Sequence, residues 1–258
     1  FLAERIIESI QSYKPTIFYC SPIHINLLNA YNKDASLESL RKVISTTTGI
    51  TADTCQAFQK KYGIVVEQAF GIIEVGLPII NTGSPHLHPD AVGHALPAFQ
   101  VEILDETGNK LEPGETGYLA IKGPGMFDGY LTTSQSRNDV LKHGYFYTGD
   151  LATKNSAGLI TIKGREKNVI SVHGNKVFPA EVEAVINMFD GVTMSKVFGK
   201  KHALFGEIVI AEIMAKADIS IDDLMRFCRK RLSSYKAPQK IILVDQIEMT
   251  ASGKIKRS

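Results

Sequence analysis

The sequence predicts a protein of mixed α/β class, in which a parallel α/β layer and a small β-barrel or sheet precede a compact α+β unit. Three observations predict this class. Helical and strand-like apolar periods alternate up to about residue 89, helical periods are lost between residues 92 and 165, and helices and strands return together after residue 165. With 258 residues and 44% hydrophobic content, the chain can bury the core of one large domain or two smaller ones.

The first segment alternates between helices and strands, an order typical of a parallel sheet. Ser21 marks a helix start, because its hydroxyl can cap a free N–H and Pro22 gives up no hydrogen bond in the first turn. The predicted elements are a helix over residues 2–12, a strand over 16–20, a helix after 22, a strand over 42–45, a helix over 51–62 and a strand over 64–69.

The remaining two segments differ in their periods. In the β-rich segment, turns are expected at residues 106–109, 113–114 and 155–158, as in a small barrel or sheet. After Arg165 the pattern predicts a compact α+β unit, with a domain boundary near Lys167. Its predicted elements are strands over 168–172, near 192–198, over 207–214 and over 240–244, with helices from 179 and over 220–232.

Composition excludes several classes of protein. Lys plus Arg number 29 against 27 for Asp plus Glu, so charge gives no reason to expect nucleic acid or a membrane surface as a partner. Apolar runs are too short for a transmembrane segment, and the charged first ten residues do not resemble a secretory signal, so a cytoplasmic protein is expected. Three scattered cysteines predict buried, reduced thiols rather than disulfides or zinc ligands. Because the chain starts at Phe1 directly in a helical pattern, a fragment of a longer protein is expected.

Four short segments carry the chemistry, and they occur in a fixed order. They are residues 68–74 (QAFGIIE), residues 147–151 (YTGDL), the pair 164–165 with Gly174 and residues 179–183 (PAEVE), and residues 250–254 (TASGK). Together with Gly114-Glu115 and Gly129-Tyr130, they resemble the adenylate-forming superfamily of acyl-CoA synthetases, luciferases and peptide-synthetase adenylation domains. Each segment alone fits an ordinary structural role, and the matched set carries the resemblance. The resemblance covers the whole chain.

The resemblance implies that the chain is the C-terminal half of such an enzyme. Residues 1–166 would be the end of the large domain, with an α/β layer over 1–90 and a β-rich subdomain over 91–166. Residues 167–258 would form a small mobile C-terminal domain, with Lys167 as the hinge.

The resemblance also assigns roles around the nucleotide and the acyl group. Phe70 would stack on adenine, and Glu74 would bind Mg²⁺ as a catalytic carboxylate. Thr47 and Thr48 lie in a segment that replaces the family's Gly-Gly-Ala-Pro, which meets adenine and the acyl chain. Gly71 would contact both the nucleotide and the acyl group, with Leu77 and Pro78 as further walls of the acyl pocket.

Further roles fall on residues of the later segments. Asp150 would accept both ribose hydroxyls, and Arg165 would donate to ribose or phosphate oxygens. Lys254 would stabilise charge at the carboxylate and α-phosphate during adenylation. Gly174 would line the pantetheine tunnel. A phosphate-binding P-loop is excluded, because Glu248 occupies the position of its first glycine. His86 and His88 are assigned no role.

The chain also departs from the family pattern. The Gly-rich Ser/Thr loop that cradles the β- and γ-phosphates does not occur in these residues. Ile73 replaces the usual Thr before Glu74, and Glu248 replaces a Pro near the last segment. The first half-reaction is therefore expected to fail in this chain alone.

The expected activity is that of an acyl-CoA ligase, which uses ATP and Mg²⁺ to convert a carboxylic acid, expected to be a fatty acid, to acyl-AMP and then transfers it to CoA. The sequence after the Gly-Arg pair favours CoA as the acceptor. Two alternatives stay open: transfer to the phosphopantetheine arm of an acyl carrier protein, and a degenerate non-catalytic relative that binds a nucleotide or a protein.

Overall fold

The computed structural model describes residues 2–47, 49–82, 85, 87–202, 206–216, 219–250 and 255–257. Contacts between residues divide the chain into two compact units, Phe1–Ile162 and Lys163–Ser258. The second unit begins four residues before the predicted boundary, at residue 163 against 167. The assignment of residues 1–166 and 167–258 to two domains stays a prediction.

The first unit opens with the predicted α/β layer. Strands β1 to β3 pair in parallel, which confirms the predicted parallel order, and β4 and β5 extend the same sheet in antiparallel fashion. The elements are α1 (Leu2–Tyr13), β1 (Ile17–Cys20), α2 (Pro22–Asn29), β2 (Lys42–Ser45), α3 (Ala52–Tyr62), β3 (Val66–Ile72), β4 (Gly76–Ile80) and β5 (His94–Ala95).

Local chemistry explains where two of these helices begin and end. Helix α2 starts at Pro22, directly after Ser21, whose backbone N–H donates to His24 Nδ1 at 3.2 Å. Helix α3 starts after Thr51, whose hydroxyl accepts from the Thr54 N–H, and it ends at Gly63 with a φ of 72° that favours glycine. The apolar faces of the three helices and of strands β1 to β3 form one buried cluster that includes Ile25, Leu28, Val43 and Phe58.

The β-rich segment forms an open sheet with strand order β11-β10-β7-β6. In the part of the chain that the structure describes, the two edge strands do not pair with each other, so the barrel prediction is wrong and the sheet alternative holds. Alternating apolar residues predict strands, but barrel closure depends on strand tilt and shear, which that alternation does not encode. The elements are β6 (Gln100–Leu104), β7 (Thr116–Lys122), β8 (Gly129–Tyr130), β9 (Gln135–Ser136), α4 (Arg137–Val140), β10 (Phe146–Lys154) and β11 (Ile160–Arg165).

The second unit has the predicted α+β composition. Its sheet has the order β13-β12-β15-β14, and β16 pairs in parallel with β15. Residues of both helices, including Val182 and Leu224, join the buried core of this sheet. After a 3₁₀ turn (Glu166–Asn168), the elements are β12 (Ile170–Val172), β13 (Asn175–Val177), α5 (Pro179–Asn187), β14 (Val192–His202), β15 (Gly206–Ala215), α6 (Ile221–Arg231) and β16 (Lys240–Leu243).

Two further findings concern membranes and thiols. Within the described ranges, no helix is long and apolar enough to cross a bilayer.

Cys20, Cys55 and Cys228 are buried free thiols. Burial raises the pKa of Cys20 to about 12 and the pKa values of Cys55 and Cys228 to about 11.

Candidate functional site

The hairpin of β3 and β4 carries the first group of predicted site residues. Strand β3 continues to Ile72, with Phe70 opposite Ile79, so the predicted end of this strand at residue 69 is wrong by three residues. The strand continues because Phe70 and Ile72 pack on the apolar core shared with the β-rich sheet. The turn therefore consists of residues 73–75, with Glu74 at its centre.

Glu74 is half-buried and is held by hydrogen bonds at two of its groups. The Tyr130 hydroxyl donates to Glu74 Oε1 at 2.8 Å, and the Phe127 N–H donates to the Glu74 carbonyl at 2.9 Å. Mg²⁺ in nucleotide enzymes is commonly bound by one or two protein carboxylates together with phosphates and water. The chemistry of the Glu74 carboxylate is compatible with that mode, and among the described residues no cluster of three His, Cys, Asp or Glu side chains is found.

The neighbours of Glu74 have contrasting environments. Ile73, in place of the family's Thr, is 95% exposed. A side chain at Gly71 would approach the Gly76 carbonyl oxygen at 2.8 Å, so glycine allows the two strands of the hairpin to close. Leu77 is half-buried and Pro78 is buried. Gly71 thus has a packing role beside the contacts that the resemblance assigns to it.

The carboxyl end of β2 carries the second group. Ser45 and Thr46 are buried, and the Thr46 N–H donates to the Cys20 carbonyl at 2.9 Å. Thr47 is exposed with a φ of +79°, a conformation that strains a β-branched residue by roughly 1–3 kcal/mol. Thr48 lies outside the described residues. Such strain at the carboxyl end of a parallel strand is typical of ligand-binding positions in α/β sheets.

Gln68 links the chain after β2 to residues 89–91, a role that was not predicted from the sequence. The buried Gln68 side chain accepts from the Ile50 N–H at 3.3 Å and donates to the carbonyls of Pro89 and Ala91. It thereby fixes the chain that follows β2 against the chain before β5. A buried Gln in an otherwise apolar strand was the available signal, because such a side chain requires several partners.

Asp150 lies in a bulge of β10, where the pairing with β7 shifts between Tyr147 and Leu151. The preceding Gly149 has a φ of 74°, and the Thr148 hydroxyl accepts from the Asp150 N–H at 3.1 Å while donating to the Leu119 carbonyl at 3.2 Å. Asp150 is 6% exposed. The bulge therefore fixes the backbone of Asp150, whose side chain is buried beside the sheet.

In the second unit, Arg165 ends β11 and Lys167 lies in the 3₁₀ turn, and both are exposed. Gly174 lies at the tip of the β12–β13 hairpin, where His173 and Gly174 have φ values of 49° and 78°. Two consecutive positive φ values define a tight two-residue turn that favours glycine at its second position. A Cβ at Gly174 would have no neighbour within 4 Å, so this tip is open to an approaching molecule.

Lys254 lies outside the described residues, but the residues that follow it are fixed. Met249 forms an isolated β-bridge with Ile255, and the Lys256 N–H donates to the Glu248 carbonyl at 2.9 Å. Arg257 Nη2 donates to both carboxylate oxygens of the buried Glu183, at 2.7 and 2.6 Å.

Val197 completes this arrangement. Its N–H donates to Glu183 Oε1 at 2.7 Å, and its carbonyl accepts from Arg257 Nη1 at 2.8 Å. We call the group of Glu183, Val197 and Arg257 the clasp. No role for Arg257 could be predicted from the sequence, because its pairing with Glu183 spans 74 residues and has no local signature.

The fold and these segments define an AMP-binding enzyme. The family model of the AMP-binding enzymes matches residues 1–131, and that of the AMP-binding enzyme C-terminal domain matches residues 181–254. The chain therefore belongs to this family.

Curated relatives are CoA ligases with different acids. Indoleacetate–CoA ligase of Aromatoleum aromaticum is 25% identical over 264 residues, which cover 100% of this chain and 51% of that protein. Long-chain-fatty-acid–CoA ligase of Salmonella typhimurium is 30% identical over 202 residues, or 77% of this chain and 36% of that protein. The chain spans about half the length, or less, of these relatives.

Among solved structures, ATP-bound MatB from Rhodopseudomonas palustris is similar to the whole chain. It has a TM-score of 0.91 and 29% identity, and the match covers 100% of this chain and 52% of that protein. The similarity confirms the predicted mixed α/β fold and its adenylate-forming type.

Proposed function

We propose that the whole protein is an ATP-dependent acyl-CoA ligase. In the first step, an oxygen of the substrate carboxylate attacks the α-phosphorus of ATP, which gives acyl-AMP and releases pyrophosphate. In the second step, the CoA thiol loses its proton and attacks the acyl carbon, which forms the thioester and releases AMP. One observation carries this proposal: the chain matches both the AMP-binding enzyme family model and the model of its C-terminal domain. The relatives aligned with the chain are CoA ligases.

The roles proposed for this chain's residues come from the resemblance of their segments to the family. Glu74 would offer a half-buried carboxylate to the Mg²⁺ that accompanies ATP, and Phe70, on the same hairpin, would stack its ring on adenine. Asp150, fixed in the bulge of β10, accepts from the ribose hydroxyls. Arg165 donates to ribose or phosphate oxygens, and Lys254 stabilises negative charge at the α-phosphate.

A fatty acid is the first candidate for the acyl substrate. Leu77 and Pro78 would supply apolar walls to its chain, and one relative is named for long-chain fatty acids. Indoleacetate in another relative makes an aromatic acid the main competitor. A panel of fatty and aromatic acids, scored by pyrophosphate release from the full-length protein, tests this choice. Faster release with an aromatic acid would overturn it.

We further propose that the small domain rotates about Lys167 and so separates the two half-reactions in time. One orientation brings Lys254 to the α-phosphate, and the other opens a path for CoA beside Gly174. The enzyme would work in the cytoplasm, with ATP and CoA as diffusible substrates.

Variants at these two positions test the proposal. In the full-length protein, Lys254→Ala should slow adenylation by at least about 100-fold and leave thioester formation from supplied acyl-AMP nearly intact. Gly174→Leu should do the reverse, because its side chain obstructs the pantetheine arm. Gly174→Ala is the matched control, since it carries the same strain at positive φ without the bulk. Equal loss in both half-reactions, in a protein that remains folded, would contradict the rotation.

A second candidate function is a non-catalytic nucleotide-binding relative, which the 95% exposed Ile73 favours. Ile73 removes a hydroxyl that could bind phosphate. Absence of pyrophosphate release from the full-length protein with every acid, together with retained AMP binding, would support this candidate. Transfer to a carrier protein instead of CoA is separated from the main proposal by offering both acceptors to preformed acyl-AMP.

The chain alone should not make acyl-AMP, because its sequence lacks the family's phosphate loop. Pyrophosphate exchange into ATP by the purified 258-residue chain measures this directly. Exchange above background would show that the loop is dispensable.

A further inference from the structure

Glu74 forms hydrogen bonds with the loop of residues 126–130, which belongs to the same unit. The Phe127 N–H binds the Glu74 carbonyl at 2.9 Å, and the Tyr130 hydroxyl binds Glu74 Oε1 at 2.8 Å. The first bond fixes the backbone of the turn, and the second fixes the carboxylate. Two contacts from one loop therefore set both the position and the orientation of the side chain.

The loop is itself held by Arg137. Its guanidinium donates to the carbonyls of Phe127 and Met126 and to Asp128 Oδ1, each at 2.7 Å. The Arg137 N–H also donates to the Asp128 carbonyl at 2.7 Å. A guanidinium with several fixed acceptors restrains a loop more than a single contact does, because its donors have a rigid planar geometry.

Tyr130 has little freedom to leave Glu74. Its ring meets the Phe127 ring edge-on, with 4.7 Å between the centroids, and its backbone pairs with Gln135 across the β8–β9 hairpin. A side chain at Gly129 would overlap the Gln135 carbonyl, so glycine there permits the hairpin to close. The hairpin thus presents the hydroxyl at a defined place beside the carboxylate.

A carboxylate has two oxygens and about four lone-pair directions. The Tyr130 hydroxyl uses one direction of Oε1, and a hydroxyl donor restricts the rotation of the whole group. Oε2 then keeps both of its lone-pair directions for a cation on the nucleotide. Without the hydroxyl, the carboxylate would have to lose its rotational freedom on binding the cation, which weakens binding.

We propose that Tyr130 is a positioning residue that orients the Glu74 carboxylate for the Mg²⁺ carried by ATP. This inference rests on the proposed function, because it uses the proposed role of Glu74. It predicts that Tyr130 affects only nucleotide binding that depends on Mg²⁺. A tyrosine that merely supported the fold would affect AMP binding without Mg²⁺ and thermal stability as well.

The test uses Tyr130→Phe in the full-length protein, with ATP binding measured by calorimetry over a series of Mg²⁺ concentrations. The Mg²⁺ concentration for half-maximal ATP binding should rise about 3- to 10-fold, since the carboxylate must then lose its rotational freedom on binding the cation. AMP affinity without Mg²⁺ and the melting temperature should stay unchanged. Tyr62→Phe is the matched control, because it removes a hydroxyl that donates to the Leu28 carbonyl at 2.7 Å in the same unit.

Glu74→Gln and the double variant decide how the two residues act. Glu74→Gln should raise the Mg²⁺ requirement more than Tyr130→Phe does, and adding Tyr130→Phe to it should have no further effect. Additive effects would overturn the inference, as would an unchanged Mg²⁺ requirement in Tyr130→Phe. Acyl-AMP formation by the wild-type protein is scored in parallel. If the wild type is active and Tyr130→Phe behaves like it, only this inference fails; if the wild type makes no acyl-AMP with any acid, the proposed function fails.

Discussion

Arg257→Met tests the energetic weight of the clasp in the second unit. The Glu183 side chain is only 10% exposed, and it accepts two hydrogen bonds from Arg257 and one from the Val197 N–H. The substitution removes the cation and leaves a buried carboxylate with the Val197 N–H as its one remaining partner among those described above. Removing one member of a buried ion pair typically costs about 3–5 kcal/mol, because the other charge stays desolvated.

The neighbouring ion pair provides a matched control. Lys256 and Glu248 approach to 3.1 Å, but their side chains are 59% and 70% exposed. Exposed pairs contribute about 0–1 kcal/mol, so Lys256→Met should change the free energy of unfolding by less than about 1 kcal/mol. The two variants change adjacent positions in the same way and differ in burial.

The double variant Glu183→Met/Arg257→Met separates charge from packing. Removing both charges avoids the unpaired carboxylate, but the Val197 N–H loses its acceptor, which costs about 1–3 kcal/mol. The double variant should therefore be more stable than Arg257→Met alone.

Amide hydrogen exchange at the residues of β14 other than Val197 is the suitable assay, because the chain has two units and need not unfold in one step. Val197 is left out because its N–H loses its acceptor in the double variant. Equal protection in Arg257→Met and Lys256→Met would refute the reasoning. A double variant less stable than Arg257→Met would also refute it.

Three further predictions concern Asp150, Thr47 and the three cysteines. Asp150→Ala should weaken AMP binding at least about tenfold by calorimetry on the full-length protein, because hydrogen bonds to a charged group are lost; equal heats would remove Asp150 from the site. Thr47→Gly should raise the free energy of unfolding of the first unit by about 1 kcal/mol, since glycine adopts a φ of +79° without strain, and a loss of stability in urea unfolding would contradict this. Because burial raises the pKa of Cys20 to about 12 and of Cys55 and Cys228 to about 11, all three thiols should resist labelling at pH 8 until the chain unfolds. Stability should then fall as pH rises above about 8.5, where the unfolded thiols ionise first, and rapid native-state labelling would contradict their burial.

Elements longer than one turn could be predicted from the sequence because their apolar periods are local. Helices α1 and α6 and strands β1 and β2 lie within a residue or so of their predicted positions. Helix α4 has four residues, too few to show a period, and it was missed. The β-rich segment was predicted as a barrel or a sheet, because strands alternate apolar and polar residues in the same way in both structures.

In the candidate site too, features encoded locally could be predicted and features that depend on distant residues could not. Glu74 and Asp150 could be selected as site residues because they lie in recognisable segments. The contacts that hold them in place could not be predicted. Tyr130 is 56 residues from Glu74, and Arg257 is 74 residues from Glu183, so both pairings depend on tertiary structure. The extension of β3 to Ile72 was missed for a similar reason, since the core that buries Phe70 and Ile72 comes mainly from the later β-rich segment.

The connectivity of the second unit has a consequence for synthesis of the protein on the ribosome. Strand β16 pairs with β15 only after α6 has been made, and Arg257 reaches Glu183 later still. Contacts of such long sequence separation form late and slow folding. Because domains form from the N-terminal side during translation, the α/β layer of the first unit can fold while the second unit is still waiting for its last strand. During that interval the exposed edge of β15 is open to incorrect pairing, so translation speed over residues 216–257 should influence the yield of folded protein.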